Sequence, residues 1–545
     1  MSSSKKKACN ASLGVTAAYF DPADHMDQPK LICVEAQAGD GTWCKAANIS
    51  SDPITPAALK RAFPRLRLAG VTWDNIIGEI MDKLFRGLDE GTIRAGYVLS
   101  NLGMTDLPNG NLIAVRGGEV IGEVGKAHII KGEAACYRLR GNAAAISMLV
   151  PLLMIVQSPV LITLAYTLLA SVRSILVEAG ISLQAVLLLE GKQGLGKTTI
   201  ATRVGAVYQN VETKRDAGVI QLGSTFASVR DALLRFKDSV VVIDDLCLSA
   251  SSEAQRNSLD IAARVMRMAT GTIPITKKRG NTTVELYAQA MAIITAEYTF
   301  PNLSDMTRCI IAPVKDQMHL PDALTADLCA AAVRHFSKWV IEHRAAFVER
   351  MKIAARGDCI AASFDQRIRT NYGILLAVWD EFQISLQPLG VDDKVVQQLH
   401  NRFEEALDTA LNELAVLIEK VRANEKRGNL AYIILGLLKE GALKPGKKTL
   451  TDNDERKERY QKRGCLRLKR RNIGVNPEVL LQLVRAQPGY HDYTRNKMAL
   501  ELKDLGALVL QSNGKHASNM VKLWDGGPWG YRLLLGVLED EAKEF

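Results

Sequence analysis

Among nine cysteines and eight histidines there is no Cys-x-x-Cys pair and no His-x-x-x-His spacing. Nothing therefore marks a structural zinc site, and an odd set of unpatterned thiols reads as reduced in a cytoplasmic protein. Aromatic residues make up only 6% of the chain, so its cores are expected to rest on Ala, Leu, Ile and Val. The opening MSSSKKKACN is basic but no apolar stretch follows it; a secretory signal is not expected. Charge is missing altogether from Gly141 to Val172, a length that would span a bilayer. Pro151 and Pro159 interrupt that run, and Ser147, Gln157, Ser158, Thr163 and Tyr166 dilute it. The expectation is two short buried helices and no membrane span.

What is present is an ordinary globular balance, 47% hydrophobic and 23% charged over 545 residues. That length suggests roughly three or four domains and excludes a disulfide scaffold, a collagen-like repeat or wholesale disorder. The formal charge is +10, and Lys444–Arg471 holds 12 Lys and Arg against 4 Asp and Glu. A polyphosphate partner would select such a cluster, since each neutralised phosphate releases condensed counterions; a solvated basic linker would look the same.

Residues 1–140 alternate short apolar runs with turn signals. Asn109-Gly110 lies between two such runs and predicts a hairpin, with Gly117-Gly118 a second break. This is a strand-rich N-terminal domain of unassigned role. Residues 141–320 read as α/β. AVLLLE (185–190), DSVVVIDDL (238–246), AMAIIT (290–295) and RCIIAPV (308–314) are continuous apolar strands, the mark of a parallel sheet covered on both faces. Residues 321–426 are helical, ending in an amphipathic stretch whose Leu399, Phe403, Leu407 and Leu411 make a core stripe. Residues 427–545 form a basic linker and a mixed region. There Asn476-Pro477 and Thr494 start two helices, Gly506 stops the second, and ALVLQ and NMVKLW flank a turn. Helix, helix, hairpin is the order of a winged helix; a purely structural lid would read alike.

The chemistry is concentrated in one motif. Gly191, Lys192, Gln193, Gly194, Leu195, Gly196, Lys197 and Thr198 fulfil G-x-x-x-x-G-K-[ST] between a strand and a helix, with Thr199 following. Glycines let backbone N–H groups wrap phosphates, Lys197 reaches the β/γ-phosphates and the Thr198 hydroxyl serves Mg²⁺. Asp244 and Asp245 end the strand Val240–Val241–Val242–Ile243, a Walker B arrangement. The first acid holds Mg²⁺ and the second polarises the attacking water. Thr295, with Glu297 beyond it, either orients that water or is an ordinary strand-end threonine. Arg308 opens the last strand and is placed to act as an arginine finger on a neighbouring subunit's γ-phosphate; Arg367 and Arg369 are weaker phosphate sensors. GTIPITKKRGNTTVELY (271–287) reads as a hairpin carrying Lys277, Lys278 and Arg279 at its tip, a phosphate-gripping finger or a solvated turn.

This order of parts resembles the AAA+ helicases of superfamily 3. From about Gly96 to Pro313 the chain looks like the replication helicase-like ATPases of phages, plasmids and integrative mobile elements, among them the self-loading helicases of staphylococcal cassette elements. The residues that carry the resemblance are GYVLS…NG…AVRGGEVIG, LLLEGKQGLGKTT, VVVIDDL, MRMATG with the KKRG hairpin, and IITAE. It departs from the family in having Asp at the second Walker B position and Thr where many relatives have Asn. The resemblance implies a ring-shaped homo-hexamer that binds ATP and Mg²⁺, hydrolyses ATP between subunits and translocates on single-stranded or forked DNA, with other replication proteins as further partners. It assigns Lys197, Asp244, Asp245, Arg308 and the hairpin cations to those roles. Two alternatives remain: an ATPase that remodels protein–DNA complexes, and an ATP-gated DNA-binding switch that does not unwind.

Overall fold

The structure, a computed structural model, describes all residues except 1–10, 23–27, 43, 52, 68–71, 142–144, 222–225, 247–251, 280–281, 298–299, 301, 429, 446–451, 469–471, 488–489, 491–492, 513–516, 519, 524–526 and 545. Residues 252–260, 277–279, 282–283, 422–428, 432, 511–512, 517–518 and 540–544 are described by their backbone. The chain divides into two compact units, Met1–Leu414 and Ala415–Phe545.

The first unit begins with a mixed sheet. Ala11–Phe20, Leu31–Ala38 and Cys44–Ser50 form an antiparallel meander; Arg94–Leu99 then pairs parallel to the first strand and His128–Ile130 parallel to Arg94–Leu99. The helix Trp73–Asp89, capped by Thr72, makes the crossover that a parallel pairing needs. It buries Ile76, Ile80 and Leu84, four residues apart, among Leu13, Ile32 and Val34 of the sheet. The hairpin expected at Asn109-Gly110 joins Gly103–Asp106 to Leu112–Val115, and Gly110 has φ +85, the left-handed conformation that such a turn demands.

The charge-free run is two helices, Ile146–Leu153 and Ser158–Ala170. Pro151 lies inside the first rather than breaking it, while Pro159 sits in the first turn of the second, where no intrahelical N–H is lost. Every residue from Pro159 to Ala170 is buried. Tyr166 reaches the backbone carbonyls of Ala185 and Ala292 at 3.1 and 2.9 Å, tying this helix to the central sheet. Among the described residues no helix is long and apolar enough to cross a membrane.

That central sheet is wholly parallel. Its strands are β1 Val186–Glu190, β2 Val219–Gln221, β3 Val240–Leu246, β4 Met291–Ala296 and β5 Cys309–Pro313, in the spatial order β2-β3-β4-β1-β5. β4 and β5 are buried throughout, as strands covered on both faces must be. The α/β class with a parallel sheet, read from the sequence, is what the structure has. The helix expected after β1 is shorter than its sequence suggests: Lys197–Ile200 is α-helical and Ala201–Gly205 is a π-helical turn. Helices follow at Ala326–Glu342, Arg344–Ala354, Gln366–Leu386 and Asp393–Gly428, and the stripe Leu399, Phe403, Leu407 and Leu411 is buried.

The second unit packs the helices Leu430–Lys439, Pro477–Arg485, Arg495–Asp504 and Leu535–Glu544 around Ile434, Leu480, Met498, Leu502 and Leu538. Asn476 and Thr494 cap two of these helices as expected. An antiparallel sheet joins Cys465–Arg467, Asn472–Val475, Trp529–Leu534 and Val521–Lys522 in that spatial order. The expected pairing of ALVLQ with NMVKLW is corrected here. Gln511–Ser512 pairs with Ala517–Ser518, and Val521–Lys522 turns instead to Trp529–Gly530.

Candidate functional site

β1 ends at Glu190, and the chain enters the glycine-rich loop under close backbone constraint. A Cβ on Gly191 would lie 2.1 Å from the Val314 carbonyl, so no other residue fits there. Gly194 and Gly196 have φ of +82 and +95, conformations that L side chains rarely adopt. The loop is further held by Met318 N–H donating to the Leu195 carbonyl at 3.0 Å. A backbone turned in this way presents N–H groups on its concave side.

Lys197 is 9% exposed, and its Nζ donates to the carbonyls of Gly191 and Lys192, each at 2.7 Å. Burial pushes its ammonium below the usual lysine range, against the opposing pull of Glu297, Glu190, Asp244 and Asp245. One residue on, the Thr198 hydroxyl donates to Asp244 Oδ1 at 2.8 Å. Thr295 Oγ1 donates to the same oxygen at 2.5 Å and accepts from the Asp245 N–H at 3.0 Å. The remaining oxygen, Oδ2, accepts from Gln221 Nε2 at 3.2 Å. Parallel pairing explains this convergence: Gln221 lies directly beside Asp244 in the register of β2 and β3.

Asp245 breaks the regularity of the strand. Its φ is +79 and the register with β4 shifts between Ile243 and Leu246. The irregularity leaves Asp244 buried and Asp245 exposed, so consecutive acids meet different surroundings. Strain of this kind at a strand end is a common companion of a working site. Gln193, Gly194, Gly196, Lys197, Thr198, Thr199, Asp244, Asp245, Thr295 and Glu297 line one cavity of ≈ 350 Å³. Sequence reasoning named each of these; it missed Gln221, which bonds Asp244 from the neighbouring strand and whose partner becomes apparent only when β2 is set against β3.

Arg308 is elsewhere. It precedes β5, and its carbonyl accepts from Val186 N–H at the start of β1. The cavity lies beyond the other end of β1, a strand of 5 residues, so roughly 15 Å of sheet separates them at ~3.3 Å per residue. Arg308 is 8% exposed; its guanidinium contacts Ser304 and, at 3.4 Å, Thr272. Burial and the adjacent Arg367 charge pull its pKa below the ordinary value, opposed by Asp305. Arg367 donates to Thr307 at 2.8 Å, whereas Arg369 turns away to Gly357. Arg267, which the sequence reading did not single out, makes two 3.1 Å bonds to fully buried Asp305. Three arginines thus gather at the sheet edge opposite the cavity.

The hairpin is present as Ile275–Arg279 against Thr282–Leu286. Lys277, Lys278 and Arg279 belong to its first strand, opposite Val284, Thr283 and Thr282, rather than to the turn; Gly280 and Asn281 lie outside the described residues.

No protein-family model matches the chain, and no curated protein matches it. Among solved structures, the SCCmec type IV Cch, described as an active helicase, is similar over 97% of this chain and 95% of that one, with a TM-score of 0.52 and 14% identity. The NrS-1 C-terminal region is matched over 95% of this chain and 96% of that one, with a TM-score of 0.29 and 10% identity. An inhibitor-bound JCV helicase covers 49% of this chain and 65% of that one, with a TM-score of 0.19 and 12% identity. The first match establishes a shared fold, and the resemblance read from the motifs is met at that level.

Proposed function

We propose that the chain is an ATP-dependent DNA helicase built on a P-loop AAA+ core, working as a ring-shaped homo-hexamer in the replication of a mobile genetic element. The observation that carries the reading is the convergence of Lys197, Thr198, Asp244, Asp245 and Thr295 on one cavity at the carboxyl ends of a parallel sheet. Ligands of open α/β sheets bind at that edge, and the order β2-β3-β4-β1-β5 supports the AAA+ assignment over other nucleotide-binding arrangements.

The donor set suits Mg²⁺. A threonine hydroxyl and an aspartate, Thr198 and Asp244, meet at 2.8 Å, offering hard oxygens of the kind this ion takes from a protein while phosphates and waters complete its shell. Bound there, Mg²⁺ supplies charge neutralisation at the β- and γ-phosphate oxygens. The residues do the rest. Backbone N–H groups from Gly194 to Thr198 hold the phosphates, and the Lys197 ammonium balances charge building on the transferred phosphoryl group. Asp245, exposed at the cavity wall, accepts a proton from the attacking water, and Thr295 fixes the Asp245 backbone through their 3.0 Å hydrogen bond. Arg308 and its neighbours serve the site of an adjacent subunit. The hairpin cations grip the DNA backbone, and Pro477–Asp504 with the strands after it forms a winged-helix-like domain.

Steady-state ATPase with and without single-stranded DNA, together with unwinding of a forked duplex, tests the reading. Stimulation by DNA and strand separation are expected. Lys197→Ala should lower turnover at least about a hundred-fold while the fold persists; wild-type turnover in that variant would remove the basis of the assignment.

A further inference from the structure

Formal charge is divided unevenly between the two units. Ala415–Phe545 carries 25 Lys and Arg against 16 Asp and Glu, a formal +9 of the chain's +10. Such a concentration is the electrostatic footprint of a polyanion partner, but charge alone places no ligand.

The placement comes from the helix Arg495–Asp504 and the strand pair Val521–Lys522 with Trp529–Leu534. The helix turns Met498, Ala499 and Leu502 into the core, which leaves Arg495, Asn496 and Lys497 exposed in its first turn. The Tyr531 hydroxyl donates to the Arg495 carbonyl at 3.4 Å, so one face of its strand points at that first turn. Side chains alternate along a strand, and Trp529, two residues earlier, therefore leaves on the same face. Lys522 stands directly opposite Trp529 in the antiparallel register and shares the face as well. Arg495 lies 3.3 Å from Glu478 and touches Met520 Sδ, while the Lys497 ammonium sits 4.7 Å from the Tyr493 ring centroid. Trp529 is 44% exposed, an unusual position for a side chain whose burial contributes so much to folding.

We infer that this surface binds a DNA junction: Arg495, Asn496, Lys497 and Lys522 hold the duplex, and the first unpaired base stacks on the Trp529 indole. Cations contact phosphates without regard to sequence, an exposed helix face of this size fits a major groove, and any base offers a π-face to an aromatic ring. The aromatic decides the form of DNA, because a base within an intact duplex has no free face to offer. The inference rests on the reading of the chain as a DNA helicase and names the DNA form that its C-terminal unit recognises.

Fluorescence-anisotropy titration of the full chain without nucleotide, against a forked duplex, a blunt duplex and a single strand of the same sequence, tests it. Wild-type protein should bind the fork most tightly. Trp529→Ala should weaken fork binding about ten-fold and leave blunt-duplex binding as it was, and Trp529→Phe should restore most of the loss. Lys497→Glu combined with Lys522→Glu should weaken fork and blunt duplex alike. Wild-type fork affinity in Trp529→Ala, equal losses on fork and blunt duplex in that variant, or no preference for the fork in the wild type would each overturn the inference. Since the titration needs no nucleotide, it fails or succeeds separately from ATP turnover and unwinding in the same preparation.

Discussion

Asp244 receives three hydrogen bonds, from Thr198, Thr295 and Gln221, and one helix and two strands supply them. Lys197, Thr198 and the paired acids were legible in the sequence, because core packing alone rarely produces such glycine spacing or an apolar strand ending in carboxylates. Thr295 stood open between an orienting role and an ordinary strand end, and the structure gives it contacts to Asp244 and to the backbone of Asp245. Thr295→Val keeps the shape and removes both. Expected is a fall in kcat of roughly ten- to hundred-fold, less than the ~10²–10⁴-fold that a general acid or base itself contributes, because Thr295 positions the proton acceptor without taking the proton. Thr295→Ser should recover most of it. Equal kcat in the valine variant and the wild type would leave Thr295 a spacer.

At the scale of elements, the hairpin Ile275–Leu286 sits between β3 and β4 in the chain, and Thr272, just before it, meets Arg308 at the end of the sheet away from the cavity. Replacing Lys277, Lys278 and Arg279 by alanine should weaken binding to single strands of every sequence, each lost phosphate contact lowering the salt slope by roughly 0.7. A slope identical to wild type would make these charges incidental. A second element carries a pH response. His335, on the helix Ala326–Glu342, reaches the Ser385 carbonyl at 2.9 Å on the helix Gln366–Leu386. Burial holds its imidazole pKa below the ordinary 6.5, with Lys338 acting in the same direction and Glu342 against it. The unfolded chain therefore takes up a proton at this histidine first on acidification, so the part of stability that His335 controls is fully present above pH 6.5 and is lost as pH falls below it. Urea midpoints measured on either side of that pH should show a smaller acid loss in His335→Gln than in the wild type.

For the whole molecule, the separation of Arg308 from its own chain's cavity makes an assembly the natural setting for its action. Arg308→Ala subunits keep Lys197, and Lys197→Ala subunits keep Arg308. In equal mixtures that exchange subunits, about a quarter of the head-to-tail interfaces would join an intact loop to an intact arginine, and ATPase should rise above either parent. Mixtures that never exceed their parents would confine Arg308 to holding Ser304 and Thr272 in place.

Local rules settled a large part of this protein in advance. Continuous apolar runs of strand length bury on both faces of a covered sheet, so β1, β3, β4 and β5 could be read directly, and the caps at Asn476 and Thr494 followed from side chains within three residues of the N–H groups they bind. Glycine at 191, 194 and 196 encoded the loop for the same reason: the demand lies in the backbone itself. Tertiary structure decided whatever depends on residues distant in the chain. Gln221 meets Asp244 only because β2 and β3 pair in parallel, Arg267 meets Asp305 across 38 positions, and Val521–Lys522 pairs with Trp529–Gly530 because Trp529–Leu534 is itself drawn into a sheet by the distant strand Asn472–Val475. Sequence spacing measures distance along the chain, and these contacts are set by which surfaces the packed elements bring together.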